Sequence, residues 1–78
     1  MKYLELMEKE IIKANKPLTI REALIMAEED GTINELNHVG KTPQNTISAL
    51  IHKDIAKGDL SRFIQVSALP AKFDIKRG

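Results

Sequence analysis

The sequence predicts an α+β fold, with three main helices followed by a β-hairpin in a single domain over residues 1–78. Three observations predict it. Apolar residues recur at helical spacing as far as Ile55. Breaks at Lys16-Pro17, Gly31, Gly40 to Pro43 and Gly58 divide that region into helix-sized segments. Beyond Gly58 the character changes to two β-prone runs separated by Pro70.

The first helix is predicted over 2–14. Tyr3, Leu4, Met7, Ile11 and Ala14 line one face, while Glu5, Glu8, Lys9 and Lys13 occupy the outer faces. Glu5 and Lys9 are spaced as an i,i+4 pair, and Glu10 and Lys13 as an i,i+3 pair. Such pairs add roughly 0.2–0.5 kcal/mol each. Asn15-Lys16-Pro17 ends the helix.

Thr19-Ile20-Arg21-Glu22 is a capping box, so a second helix runs from Ile20 to about Asp30. Its inner stripe is Ile20, Ala23, Leu24 and Ala27, and Gly31 suits a left-handed end. Thr32 to Glu35 repeats the capping pattern, predicting a helical turn over 33–37. The third helix is predicted over 43–57. Thr42 serves as its N-cap, Pro43 takes the first helical position and Gly58 stops it. Ile47, Leu50, Ile51 and Ile55 share one face. Asn45, Ala49, His52 and Ala56 share the opposite one, flanked by Thr46, Ser48 and Lys53.

Residues 62–66 and 71–75 read as two strands joined by a loop at 67–70, making a hairpin over 62–75. Phe63, Val66, Phe73 and Ile75 are expected in the core, with Tyr3 in the core or at its edge. The extended stretch 17–19 is a candidate third strand. Helix, helix, helix and hairpin is the order of a winged helix-turn-helix, in which the third helix commonly enters the DNA major groove.

Composition removes several classes of function. With no cysteine in the chain, a disulfide framework and a thiolate zinc site are excluded, which fits a reducing cytoplasm. Two histidines, His38 and His52, with no H-E-x-x-H spacing, give no basis for a metal site. No nucleophile elbow and no phosphate-binding glycine loop is present, so neither an enzyme nor a bound cofactor is expected. Glu28-Glu29-Asp30 reads as a solvated acidic face. Apolar runs are far shorter than the roughly 20 residues that span a bilayer. No apolar h-region follows Lys2, so a signal peptide and a membrane partner are not expected.

What remains is a constellation suited to double-stranded DNA. Residues 1–35 carry a net charge of −3 and residues 36–78 one of +4. Gln44, Asn45 and Ser48 lie in the first turns of the third helix, where base contacts are usually made, and His52 continues the same side. Asn and Gln can each form two hydrogen bonds with adenine. Lys41, Thr42, Lys53, Arg62 and Lys72 are candidates for phosphate contacts. Each has a plainer reading too: Thr42 as a cap, Asn45, Ser48 and His52 as ordinary surface residues. A protein-interaction module is the alternative, favoured by the modest net charge and the acidic first half.

Taken in order, four stretches resemble the HARE-HTH domain: Lys16-Pro17-Leu18-Thr19-Ile20-Arg21-Glu22, Gly40-Lys41-Thr42-Pro43, Asp54-Ile55 and Ser61-Arg62-Phe63-Ile64. The resemblance spans nearly the whole chain. It implies a winged helix-turn-helix of a kind found with restriction endonucleases, in chromatin regulators and in the delta subunit of bacterial RNA polymerase. Most such domains are expected to bind DNA, whereas delta-like members act through the polymerase. The implied partners are therefore DNA, RNA polymerase or a nuclease. The implied role is transcription regulation or restriction-linked targeting in the bacterial cytoplasm, on the nucleoid if DNA is bound. Gly40 to Pro43 would be the entry to the recognition helix, and Ser61 to Phe63 the entry to the wing. The family often has an aromatic residue two positions before the aspartate matching Asp54; this chain has His52 there.

Overall fold

The computed structural model describes residues 1–36 and 39–76. Helix α1 (Tyr3–Ala14) ends at Asn15, whose φ of 55° is the left-handed conformation that Asn tolerates. Strand β1 (Leu18–Thr19) leads directly into α2 (Ile20–Glu29). The capping box is formed in full. Thr19 Oγ1 accepts from the Glu22 N–H at 3.0 Å, and the Thr19 N–H donates to Glu22 Oε1 at 2.9 Å. That donation is the chief reason the Glu22 carboxyl titrates below its ordinary range. Gly31, at φ +80°, turns the chain into a 3-10 helix over Thr32–Glu35. The predicted turn reached Asn37, which with His38 lies outside the described residues.

Helix α3 (Pro43–Ile55) stops two residues short of the predicted end. The N–H of Lys57 turns back to the carbonyl of Asp54, and Gly58 at φ +66° opens a short 3-10 turn over Gly58–Leu60. Strands β2 (Phe63–Ala68) and β3 (Ala71–Ile75) follow. The three strands form an antiparallel sheet in the order β1-β3-β2, so the candidate strand at 17–19 is real and pairs with β3. The hairpin is tighter than predicted. Ser67 and Ala68 pair with Lys72 and Ala71, leaving a two-residue turn whose Leu69-Pro70 peptide is cis.

The core gathers Met7 and Ile11 of α1, Leu18 of β1, Ile20, Ala23 and Leu24 of α2, Ile47 and Ile51 of α3, and Phe63 and Phe73 of the hairpin. Each helix contributes residues at i,i+3 or i,i+4 spacing, which is how a 3.6-residue period builds a face. Two expected core members lie elsewhere. Val66 is 49% exposed, because a register shift between Gln65 and Ser67 leaves it as the extra residue of a β-bulge. Leu50 is 40% exposed; the packing of Ile47 and Ile51 turns it to the rim. Tyr3 sits at the core edge, where its hydroxyl accepts from the Gly40 N–H at 3.3 Å.

A polar corner joins α1 to the end of α2. The local ion pairs expected along α1 yield to partners from distant sequence. Lys9 Nζ reaches Thr32 Oγ1 at 2.9 Å and Glu35 at 3.2 Å, while Lys13 Nζ reaches Asp30 at 2.8 Å. Lys9 thereby takes both side chains that a second capping box at Thr32 would need. The Thr32 N–H instead donates to Asp30 Oδ1 at 2.9 Å. Asp30 is thus a structural acceptor rather than part of a solvated acidic run, although Glu28 and Glu29 are exposed. The Lys13 ammonium, then Thr32, hold its carboxyl well below the usual range.

Glu10 is fully buried in this corner, and neither carboxylate oxygen receives a donor from the described residues. Burial, then the neighbouring Asp30 carboxyl, pushes its pKa from 4.5 to about 7. In its neutral form Glu10 can donate to Asp30, which suits a buried oxygen pair otherwise without a partner. A folded-state pKa above the unfolded value means that the native state binds the proton more tightly. The stabilisation is complete below about pH 4.5 and is lost as the pH rises through about 7. The shift corresponds to at most about 3 kcal/mol. Urea unfolding between pH 5 and pH 8 is expected to show stability falling with pH, and Glu10→Gln is expected to flatten most of that slope. A parent with the same stability at both ends of that range would contradict the assignment.

Candidate nucleic-acid interface

Helix α3 is oriented by what it buries. Ile47 and Ile51 are fully buried, which turns Gln44, Asn45, Thr46, Ala49, His52 and Lys53 outward and leaves Ser48 at the margin. Gln44, Ser48 and His52 follow one i,i+4 row, so donors and acceptors extend along one side of the helix. From Leu36 to Lys53 the sequence contains no Asp or Glu, so this side carries no competing carboxylate of its own. Among the described residues, Gln44 and Asn45 make no side-chain hydrogen bond, and Lys41 and Lys53 form no ion pair.

The start of α3 is built differently from the start of α2. Thr42 has φ −127° and ψ 66°, and its side chain makes no capping hydrogen bond. Thr19, a working cap, has ψ 161°. The rotated Thr42 backbone does not direct its hydroxyl at the first-turn amides. Its carbonyl instead accepts from the N–H groups of Asn45 and Thr46 at 3.1 and 3.2 Å, and from the Thr46 hydroxyl at 3.4 Å. The sequence reading of Thr42 as a side-chain cap is therefore corrected. Pro43 at the first helical position does the initiating.

His52 is more constrained than a surface histidine. Its ring meets Phe73 edge to face, with centroids 5.6 Å apart and planes at 80°. Nδ1 lies 2.8 Å from the Ser48 carbonyl oxygen and 3.4 Å from Ser48 Oγ. A carbonyl can only accept, so Nδ1 carries the proton and Nε2 is left as an acceptor in the neutral ring. His52 thus combines an aromatic contact with one hydrogen-bonding atom to spare.

The start of α3 opens onto a groove of about 360 Å³. Gln44, Asn45 and Ser48 form one side, Thr19, Ile20 and Arg21 of the α2 start another, and Pro70 and Ala71 of the hairpin turn close it. Arg21 is the residue that the sequence reading missed as a candidate. Its position just inside the capping box, on a helix whose apolar stripe excludes it, was the available signal.

The two hairpin cations lie apart from this groove lining. Arg62 Nη1 donates to Glu8 Oε1 at 2.6 Å, tying the start of β2 to α1. Lys72 stands between Thr19 and Ser67 in the strand register, and its charge helps keep the Glu22 carboxyl ionised. Of the sequence-predicted residues, the structure therefore brings Gln44, Asn45 and Ser48 together, with His52 one turn further along. Lys41 just before α3 and Lys53 on it flank them, while Arg62 is engaged elsewhere.

No group of three or more His, Cys, Asp or Glu side chains among the described residues is arranged to hold a metal ion. No helix of the described residues is long and apolar enough to cross a membrane. Comparisons of the chain with protein-family models, curated proteins and solved structures return no match.

The His52 geometry is open to a direct check. A long-range proton–nitrogen NMR spectrum at a pH where the ring is neutral is expected to show Nδ1 as the protonated nitrogen. A ring protonated mainly at Nε2 would mean that the contact with the Ser48 carbonyl is not made.

Proposed function

We propose that this chain is a winged helix-turn-helix domain that binds double-stranded DNA and has no catalytic activity of its own. In this reading α3 enters the major groove and the hairpin is the wing, lying along the DNA backbone. The observation that carries it is the pair Gln44 and Asn45 at the start of α3, whose side chains make no hydrogen bond among the described residues. Gln44 and Asn45 offer amides suited to base edges, beside a groove and on a stretch free of carboxylates. Lys41 and Lys53 flank that pair as phosphate contacts. The resemblance to HARE-HTH leads to the same reading and adds a regulatory or targeting role, in transcription or with a restriction nuclease, in the bacterial cytoplasm.

A second reading has its own support. Phe63 to Ala71 contains no charged residue, and Ile64, Val66 and Leu69 are 46%, 49% and 95% exposed. An uncharged strand and turn with exposed apolar side chains suits a protein partner such as RNA polymerase better than it suits phosphate.

Titration of the amide-labelled protein with a short duplex at low and high salt separates the two. DNA binding is expected to move resonances of residues 41–53 and to weaken steeply with salt. Asn45→Ala is expected to cost roughly 1–3 kcal/mol on preferred sequences alone. Lys53→Ala should weaken all sequences alike and reduce the salt dependence. Absence of shifts at low salt, with a partner retained from a nuclease-treated lysate at high salt, would favour the protein-binding reading.

A further inference from the structure

We propose that the groove between the starts of α2 and α3 is a phosphodiester site in which Arg21 holds one DNA phosphate, and that Arg62 holds none. The inference rests on the DNA-binding reading and adds a cation to its phosphate contacts. From the hairpin, the sequence offers Arg62 and Lys72 as phosphate contacts. The structure commits Arg62 to Glu8 at 2.6 Å, with Glu8 itself only partly exposed. Moving Arg62 to a phosphate would strand that carboxylate.

Arg21 has no such commitment. It is exposed and, among the described residues, has neither an ion pair nor a side-chain hydrogen bond. The one carboxylate of the α2 start, on Glu22, is held by the Thr19 N–H at 2.9 Å and does not line the groove. A guanidinium offers a planar fork of donors that matches two oxygens of a phosphate or carboxylate. Two features favour the phosphate. Gln44 and Asn45 face the same groove with amides that make no hydrogen bond among the described residues, each both donor and acceptor, which is what an adjoining base edge requires. Pro70 and Ala71 add an uncharged wall, so the groove presents one cation beside neutral hydrogen-bonding groups. A nucleic-acid strand presents that alternation of a single anion with polar edges.

Fluorescence anisotropy with a short labelled duplex of mixed sequence, across a salt series, tests the proposal on the parent, Arg21→Gln, Arg21→Ala and Arg62→Ala. Amide spectra establish that each variant is folded. Both Arg21 variants are expected to bind severalfold more weakly at low salt. Each should lower the slope of log affinity against log salt by about 0.9, the loss of one phosphate contact. Arg62→Ala is expected to match the parent in both measures. Loss of the contact in Arg62→Ala, or folded Arg21 variants with the parent's slope, overturns the proposal and leaves the DNA-binding reading standing. A parent that binds no duplex at low salt overturns both. Displacement of the duplex by poly-glutamate as readily as by unlabelled DNA overturns the phosphodiester assignment in favour of an acidic protein partner.

Discussion

The burial of Phe73 is the constraint on which the rest of this domain depends. It lies on the central strand of a three-stranded sheet, paired with Leu18 on one side and Gln65 on the other, and is fully buried. A sheet this small has one face with which to build a core, and all three helices contribute to the cluster around Phe73. Because α3 must send Ile47 and Ile51 into that cluster, its rotation about its own axis is set. Asn45 and Lys53 are on the outside as a consequence. The same phenyl ring meets His52 edge to face, so the core supports a polar side chain of the outer surface as well.

The acidic first half of the chain is absorbed largely by its own fold. Glu10 is buried and titrates near neutrality, Asp30 accepts from Lys13 and Thr32, and Glu35 pairs with Lys9. Glu8 holds Arg62, and Glu22 closes the capping box. A net charge of −3 for residues 1–35 therefore overstates the negative field they project. The carboxylate-free run from Leu36 to Lys53 lies on the other side of this division of roles. Carboxylates tie α1 to the end of α2 and to the start of β2, and α3 carries none before Asp54 in its last turn.

The hairpin is where the two functional readings meet. Its uncharged stretch from Phe63 to Ala71 and exposed Leu69 suit contact with an apolar surface, and Arg62, one of its two cations, is turned toward α1. If the domain lies on DNA, its phosphate contacts come from the helices more than from the wing. The edge strand β2 also protects itself. Ser61 Oγ accepts from the Phe63 N–H at 3.1 Å and gives its one proton to Asp54 Oδ2 at 2.6 Å, while the Gln65 side chain donates to the Ser67 carbonyl at 3.0 Å. Side chains that occupy backbone groups of an edge strand reduce its tendency to pair with another chain.

The helices, their order, the Thr19–Glu22 capping box, the left-handed Gly31 and the strand at 18–19 were all legible in the sequence. Each depends on residues within about four positions of one another, where spacing and backbone preference act directly. The tighter hairpin, the exposure of Val66 and the failure of Thr42 to cap were not. A bulge and a rotated backbone arise when strands and helices settle against one another. Long side chains were the least legible. Lys13 chose Asp30, 17 residues away, over nearby Glu10, and Arg62 chose Glu8, 54 residues away, over any role on the wing. The sequence by itself determined the inner stripes of α1 and α2 and that the side of α3 bearing Asn45 and His52 would face outward. Only the tertiary structure decided that Glu10 is buried, that Arg62 is engaged and that Arg21 lines one groove with Asn45. Such partners are fixed by packing between elements, and no local pattern encodes the distance between side chains so far apart in the chain.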